Sequence, residues 1–299
     1  MQNKLRILLL TPWTEFFLGA ETHTYALAKE LIRLGHDVSI FCFLKGVMWE
    51  KMKNTGATLL EDIVEDKYDL AIMNGNPCMP KAPKSAMKIF ISNGVIPPQE
   101  QPVPGADKYV AISEEVSNNL ETRGYSSVII RNGIDCERFK STRPVNKKLK
   151  NVLLISNKQT PVSPEFKKIN EACKKLKLNL TVLSTNFGTS QWNVEEFINL
   201  NDLVISLGRG VYEAMACQKN ALVLDYQGND GMITNKSYFE IRKNNCSGRR
   251  YRGSISVNTL IDEFKKYDPE QGKMNRQLIL KNHDIKKTVQ QFLKLYDGK

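Results

Sequence analysis

The sequence predicts an α/β protein built from two doubly wound domains. Three observations predict it: short apolar runs alternate with stretches of helical spacing along the chain, the series starts afresh near residue 150, and a polar, aperiodic stretch separates the two series. The 299 residues, 41% hydrophobic and 25% charged, suffice for two medium-sized cores.

The first element is LRILLL (5–10), a continuous apolar run of the kind buried on both faces of a parallel sheet. GAETHTYALAKELIRLGHD after it carries apolar residues at helical spacing, with Gly35 placed to end the helix, and DVSIFCF (37–43) is the next strand. That is one βαβ unit. The alternation continues through YDLAIM (68–73), MKIFIS (87–92), KYVAIS (108–113), the helix EEVSNNLETRG and SVIIR (127–131). The joint RNGIDCERFKSTRPVNKK (131–148) is polar and contains a turn-type Asn-Gly pair and a proline. Beyond it come NVLLIS (151–156), the Lys-rich helix EFKKINEACKKLKL, LTVLS (180–184), DLVISL (202–207), a helix after GRG, and ALVLDY (221–226). Ile285, Val289, Phe292, Leu293 and Tyr296 mark a closing amphipathic helix. The expected domains are therefore 1–140 and 141–284, with 285–299 packing back toward the first.

Composition narrows the classes. The six cysteines are scattered, without CxxC or zinc spacing, which fits a reducing cytoplasm. There is no apolar stretch of bilayer length, and LRILLLTPW is too short and lacks the cleavage pattern of a signal peptide. The net charge of +11 is uneven: residues 1–140 hold 16 Lys and Arg against 17 Asp and Glu, residues 141–299 hold 27 against 15. A basic second half suits a phosphate-rich ligand, a polyanion, an acidic membrane face or plain solubility.

Open α/β sheets bind ligands at the carboxyl ends of their strands, and two such domains place the ligand in a cleft between them. Three loops are candidates. In TPWTEFFLGAET, Gly19 opens a helix whose amino end attracts anions; equally, Gly19 makes a turn and Glu21 complements the helix dipole. In LGRGVYEAMA, Gly208 and Gly210 permit a tight turn, the amides of Gly210, Val211 and Tyr212 point toward a diphosphate, and Arg209 supplies a planar cation. Glu213, placed in the first turn, accepts hydrogen bonds from the two hydroxyls of a ribose. Exchange of Arg209 or Glu213 for alanine is expected to weaken donor binding without unfolding the chain. In SNKQTP, Ser156 and Asn157 join the donor side and Lys158 neutralises the same diphosphate. Glu21, His23, Asn74 and Asn93 follow or flank strands of the first domain and are the acceptor-side candidates. His36 reads as a turn residue. His23, His36 and His283 form no catalytic set, there is no DxD motif for a metal, and no interleaving of basic and aromatic residues is evident.

The segments GAETHTYALAKELIRLGHDV, the ISEEV helix start, RNGID with ERF, and EAMAC resemble, in order and spacing, the blocks of GT-B glycosyltransferases of the large retaining group, family 4. The resemblance implies a Rossmann-like acceptor domain, a Rossmann-like nucleotide-sugar domain, and transfer of a hexosyl or pentosyl group from a nucleoside-diphosphate sugar to an acceptor hydroxyl. It puts Gly19 near the donor phosphate, Lys158 at a basic phosphate ligand, Gly208 and the following amides on the diphosphate, and Glu213 on the ribose. The implied donor is a substrate; no cofactor and no metal are expected. The group's second glutamate, eight positions before Glu213, is here Ile205, and its loop Arg is missing beside Lys158. Arg209 is the expected substitute, and the stereochemical outcome stays open. The acceptor is a glycan, lipid-linked, a protein or a nucleic acid, with a cytoplasmic location and peripheral membrane association for a lipid-linked acceptor; no obligate protein partner is expected. The alternatives are a glycosyltransferase of modified DNA bases, a non-catalytic nucleotide-sugar-binding protein, and an epimerase on the same fold.

Overall fold

A computed structural model describes residues 4–64 and 67–297; residues 1–3, 65 and 66 of the expected first domain and 298–299 of the expected closing helix lie outside the described residues. The chain forms two compact units, Met1–Gly133 with Ile285–Lys299, and Ile134–Asp284.

The first unit contains β1 (Arg6–Thr14), α1 (Gly19–Arg33), β2 (Asp37–Lys45), α2 (Val47–Met52), β3 (Thr58–Leu60), β4 (Leu70–Asn74), β5 (Met87–Ser92), β6 (Lys108–Ala111), α3 (Glu114–Glu121) and β7 (Ser127–Ile129). Its seven strands run in the order β3-β2-β1-β4-β5-β6-β7, every pairing parallel. The apolar runs do what such runs require: Ile7, Leu8, Leu9 and Leu10 are all buried, so neither face of β1 meets water. Ser113 caps α3 by accepting the Val116 amide, which places the start of the ISEEV helix where the sequence puts it.

The second unit contains β8 (Asn151–Ile155), α4 (Pro164–Lys175), β9 (Asn179–Leu183), α5 (Val194–Leu200), β10 (Leu203–Ser206), α6 (Arg209–Ala216), β11 (Asn220–Asp225), β12 (Gly228–Met232), α7 (Tyr238–Ile241), α8 (Val257–Lys265) and α9 (Pro269–Asn282). The strand order is β12-β11-β10-β8-β9, with β12 alone antiparallel within this sheet. Residues alternate across the central strand. Leu203 and Ile205 join Val152, Leu154, Leu222 and Leu224 on one face, under Ile169, Leu260 and Phe264; Val204 joins Leu153 and Val223 on the other.

The units divide at Gly133/Ile134, earlier than the expected joint. Ile134, Cys136 and Phe139 are buried in the core of the second unit, and the Arg276 guanidinium donates to the Cys136, Phe139 and Ala216 carbonyls, so the polar-looking joint is fastened there. The last helix, α10 (Ile285–Asp297), belongs to the first unit and packs on α1 through a face that buries Ile285, Val289, Phe292 and Leu293. Gly133 does not make the predicted turn. A Cβ there would lie 2.5 Å from Ile285 Cδ1 and 2.9 Å from Thr288 Oγ1, so the glycine admits α10.

Candidate functional site

In the second unit, β8 and β10 are neighbours from which the chain departs in opposite directions along the sheet, the arrangement that opens a crevice at strand carboxyl ends. The Ser206 hydroxyl donates to the Ile155 carbonyl at 2.9 Å and draws the two exits together. From β8 emerges the Ser156–Lys158 loop, and from β10 a turn of two residues, Leu207 and Gly208, leads into α6.

Both predicted glycines of that turn have a conformational or packing duty. Gly208 sits at φ +53°, ψ −122°, a region closed to side chains, and a Cβ on Gly210 would fall 2.4 Å from Ser206 Oγ. The expected amide cradle is narrower than the sequence reading makes it. The Gly208 amide donates to the Cys246 carbonyl at 2.8 Å, and the Val211 amide, expected to face a ligand, donates to the Gly208 carbonyl at 3.2 Å. The Tyr212 side chain is core, stacked on the His283 ring with centroids 4.0 Å apart.

Glu213 is the fifth residue of α6 and so lies in its second turn rather than its first. Its Oε1 accepts from Arg209 Nε at 2.8 Å, with side chains only 10% and 8% exposed. Burial pushes the glutamate's pKa up and the guanidinium's down, and each partner opposes the other's shift. Arg209, expected on a diphosphate, is thus committed to Glu213. Arg138 lies near the pair: its guanidinium is over the Trp192 ring at 4.1 Å and donates to Glu195 at 2.8 Å. Its position in RNGIDCERF gave no hint of this, because Glu195 is far off in the chain.

On the β8 side, the Ser156 hydroxyl donates to Asp225 Oδ2 at 2.5 Å and accepts the amides of Lys158 and Gln159, each at 3.2 Å. Gln159 Nε2 also donates to Asp225. Asn157 Oδ1 is taken by the Thr185 amide and hydroxyl at 2.9 and 2.7 Å. The Lys158 side chain is exposed and its ammonium makes no hydrogen bond or ion pair to the described residues. Asp225 and Gln159 organise this loop, and sequence reasoning missed both; the signal was a charged residue closing an apolar strand.

In the first unit the corresponding crevice lies between β1 and β4, where strand order reverses. Gly19 is the first residue of α1, and a Cβ there would meet nothing within 4 Å. Asn74, at the end of β4, donates to Thr24 Oγ1 at 2.7 Å, and Asn93 Nδ2 donates to Asn74 Oδ1 at 3.2 Å. These two predicted residues therefore come together. Glu21 and His23 are both buried in α1. Burial raises the Glu21 carboxyl to about 7; its own backbone amide lowers it, and the Glu100 carboxylate, unflagged by the sequence, raises it. His36 holds the chain start, its Nδ1 accepting the Leu5 amide at 3.2 Å. Ile205, in the position of the resembled group's second glutamate, is fully buried in β10 with its side chain on the α4/α8 face. Among the described residues no helix is long and apolar enough to cross a membrane.

Two Rossmann-like units in sequence, the second followed by a helix that belongs to the first, define the GT-B fold. The chain is similar end to end to the crystal structure of a glycosyltransferase from Rickettsia africae ESF-5, with a TM-score of 0.62 and 14% identity over 99% of each chain. It is similar also to CalG4, the calicheamicin glycosyltransferase (TM-score 0.57, 11% identity, 100% of this chain and 99% of that), and to MnaA of S. aureus in its UDP co-structure (TM-score 0.56, 10% identity, 97% and 95%). No family model and no curated protein matches the sequence.

Proposed function

We propose that the chain is a glycosyltransferase that takes a sugar from a nucleoside-diphosphate donor bound at the carboxyl edge of the second sheet. The observation that carries this reading is the crevice between β8 and β10, where a glycine-dependent helix start and the exposed Lys158 meet on the GT-B fold. A departing nucleoside diphosphate gains negative charge as the sugar-phosphate bond breaks, and cations and helix-end amides stabilise that charge more in the transition state than in the ground state. The reading gives this role to side chains and amides, since the sequence has no DxD motif. The acceptor hydroxyl is assigned to the first unit, where Glu21, with its pKa of about 7, has the proton affinity of a general base at neutral pH.

Membership of the retaining group is a narrower reading, and Ile205 speaks against its usual carboxylate. The two-residue turn before α6 leaves no loop on which that carboxylate could reach a sugar. One observation favours the non-catalytic alternative: the Arg209 guanidinium, expected on the donor, is buried against Glu213.

Calorimetric titration with UDP-, GDP- and ADP-sugars tests the donor reading. One of them is expected to bind, and Lys158→Ala, which removes an exposed side chain, is expected to weaken it about tenfold with an unchanged melting temperature. Failure of the whole panel would remove the donor site. Binding without sugar transfer or hydrolysis across an acceptor screen would select the non-catalytic protein.

A further inference from the structure

Arg209 is buried against Glu213, so an exposed guanidinium for a diphosphate has to come from another segment. Guanidinium groups lie instead on the segment between α7 and α8, where residues 248–253 read GRRYRG. This segment is fastened to both arms of the crevice. On the α6 side, the Cys246 carbonyl accepts the Gly208 amide, and Asn245 atoms lie 3.6 and 3.7 Å from where a Cβ on Gly208 would be. On the β11 side, Arg249 donates to Gln227 Oε1, and a Cβ on Gly228 would fall 2.6 Å from the Gly248 carbonyl oxygen. The adjacent Tyr226 amide donates to Asp225, the carboxylate that holds Ser156. Residues 245–252 therefore run from the start of α6 to the end of β11, along the carboxyl edge of the sheet.

The chemistry of the segment suits an anion. Arg250 is paired with Glu240, but Arg252 is exposed and makes no hydrogen bond or ion pair to the described residues. Two of the buried side-chain atoms that find no hydrogen-bond partner among the described residues are the Ser247 hydroxyl, on this segment, and Gln159 Oε1, beside Asp225. A ligand that accepts from one and donates to the other would satisfy both. Three of the chain's non-glycine residues with left-handed backbone, Asn245, Cys246 and Arg252, at φ +52°, +50° and +51°, fall here, a strain that collects at working segments.

We propose that residues 246–252 form a diphosphate-receiving arm of the donor site, with Arg249 and Arg252 as the guanidinium ligands of the nucleoside diphosphate. Their planar forks match phosphate oxygens two at a time, and they supply the positive charge that Arg209 does not. The inference rests on the donor reading above.

The test compares the full-length wild-type chain with Arg249→Ala, Arg252→Gly and the double variant, titrated with UDP, GDP and ADP, with the matching monophosphates, and with a single-stranded oligonucleotide at low salt. Each substitution is expected to weaken the preferred diphosphate about tenfold, and the monophosphate less. Glycine adopts the φ of residue 252 without strain, so Arg252→Gly is expected to melt no lower than the wild type while binding worse. Wild-type diphosphate affinity in the double variant would overturn the arm and leave the donor reading standing. A loss confined to the oligonucleotide would likewise overturn it and make the segment a polyanion surface. If the wild type binds no nucleoside diphosphate, the donor reading falls, and the arm with it.

Discussion

At the scale of single residues, Arg209 changes meaning between sequence and structure. Beside two glycines at a helix start it reads as a ligand, and alanine there reads as harmless to folding. Its burial against Glu213 reverses the second expectation. Arg209→Ala strands a carboxylate in the core and is expected to destabilise the second unit by about 3 kcal/mol or more, measured by urea unfolding. Glu213→Gln, which keeps an acceptor for the Arg209 Nε, is expected to cost less. Glu21 carries a pH signature. Its carboxyl titrates at about 7 folded, against an ordinary value of 4.5, so the folded chain holds the proton more tightly. That contribution is complete below about pH 4 and is lost as pH rises through about 7, in total about 3 kcal/mol. Glu21→Gln is expected to flatten this fall, seen in unfolding free energies at pH 5 and pH 8; an unchanged slope would show that the proton is not held there. Residue types and strand-end positions exposed Ser156, Lys158, Gly208 and Glu213 to sequence reasoning. Asp225, Gln159, Glu100 and Arg138 escape it because their partners lie far away in the chain, and the RRYR run at 249–252 has no neighbouring sequence signal that ties it to the crevice.

At the scale of elements, the turn between β10 and α6 does the most with the least. Two residues reverse the chain, which only Gly208 can do at φ +53°, and α6 then starts so close to β10 that residue 210 has no room for a Cβ. Gly210→Ala is expected to cost about 1–3 kcal/mol, and a Ser206→Ala background should return part of it because the clashing atom is the Ser206 hydroxyl oxygen. Thermal melts of the two single variants and the double variant measure that coupling. The central parallel strands are legible because burial on both faces writes an unbroken apolar run. β3 is three residues long, and β12 reads GNDGM, with two glycines and no β-branched residue, so neither carries a strand signature. β12 forms because it continues from β11 as an antiparallel partner, a tertiary cause that no local pattern reports.

At the scale of the whole molecule, the second unit carries 25 Lys and Arg against 16 Asp and Glu, which places most of the chain's net charge of +11 on the unit assigned to the anionic donor. The first unit depends on the far end of the sequence. Phe292→Ala, in α10, is expected to cost about 3–5 kcal/mol. The loss should appear as faster amide exchange in β1 and β4, while β8 and β10 keep their protection; equal loss in both sheets would contradict the division into units. This interrupted layout also sets an order of events on the ribosome. The stretch 134–284 is contiguous and has everything it needs once it emerges, whereas the strands of the first unit must wait, with the bed for α10 bare, until residues 285–297 have been made. A nascent chain cut short before α10 would therefore carry a finished second unit and an unfinished first one, and the unit begun earlier would be the one that chaperones and proteases find.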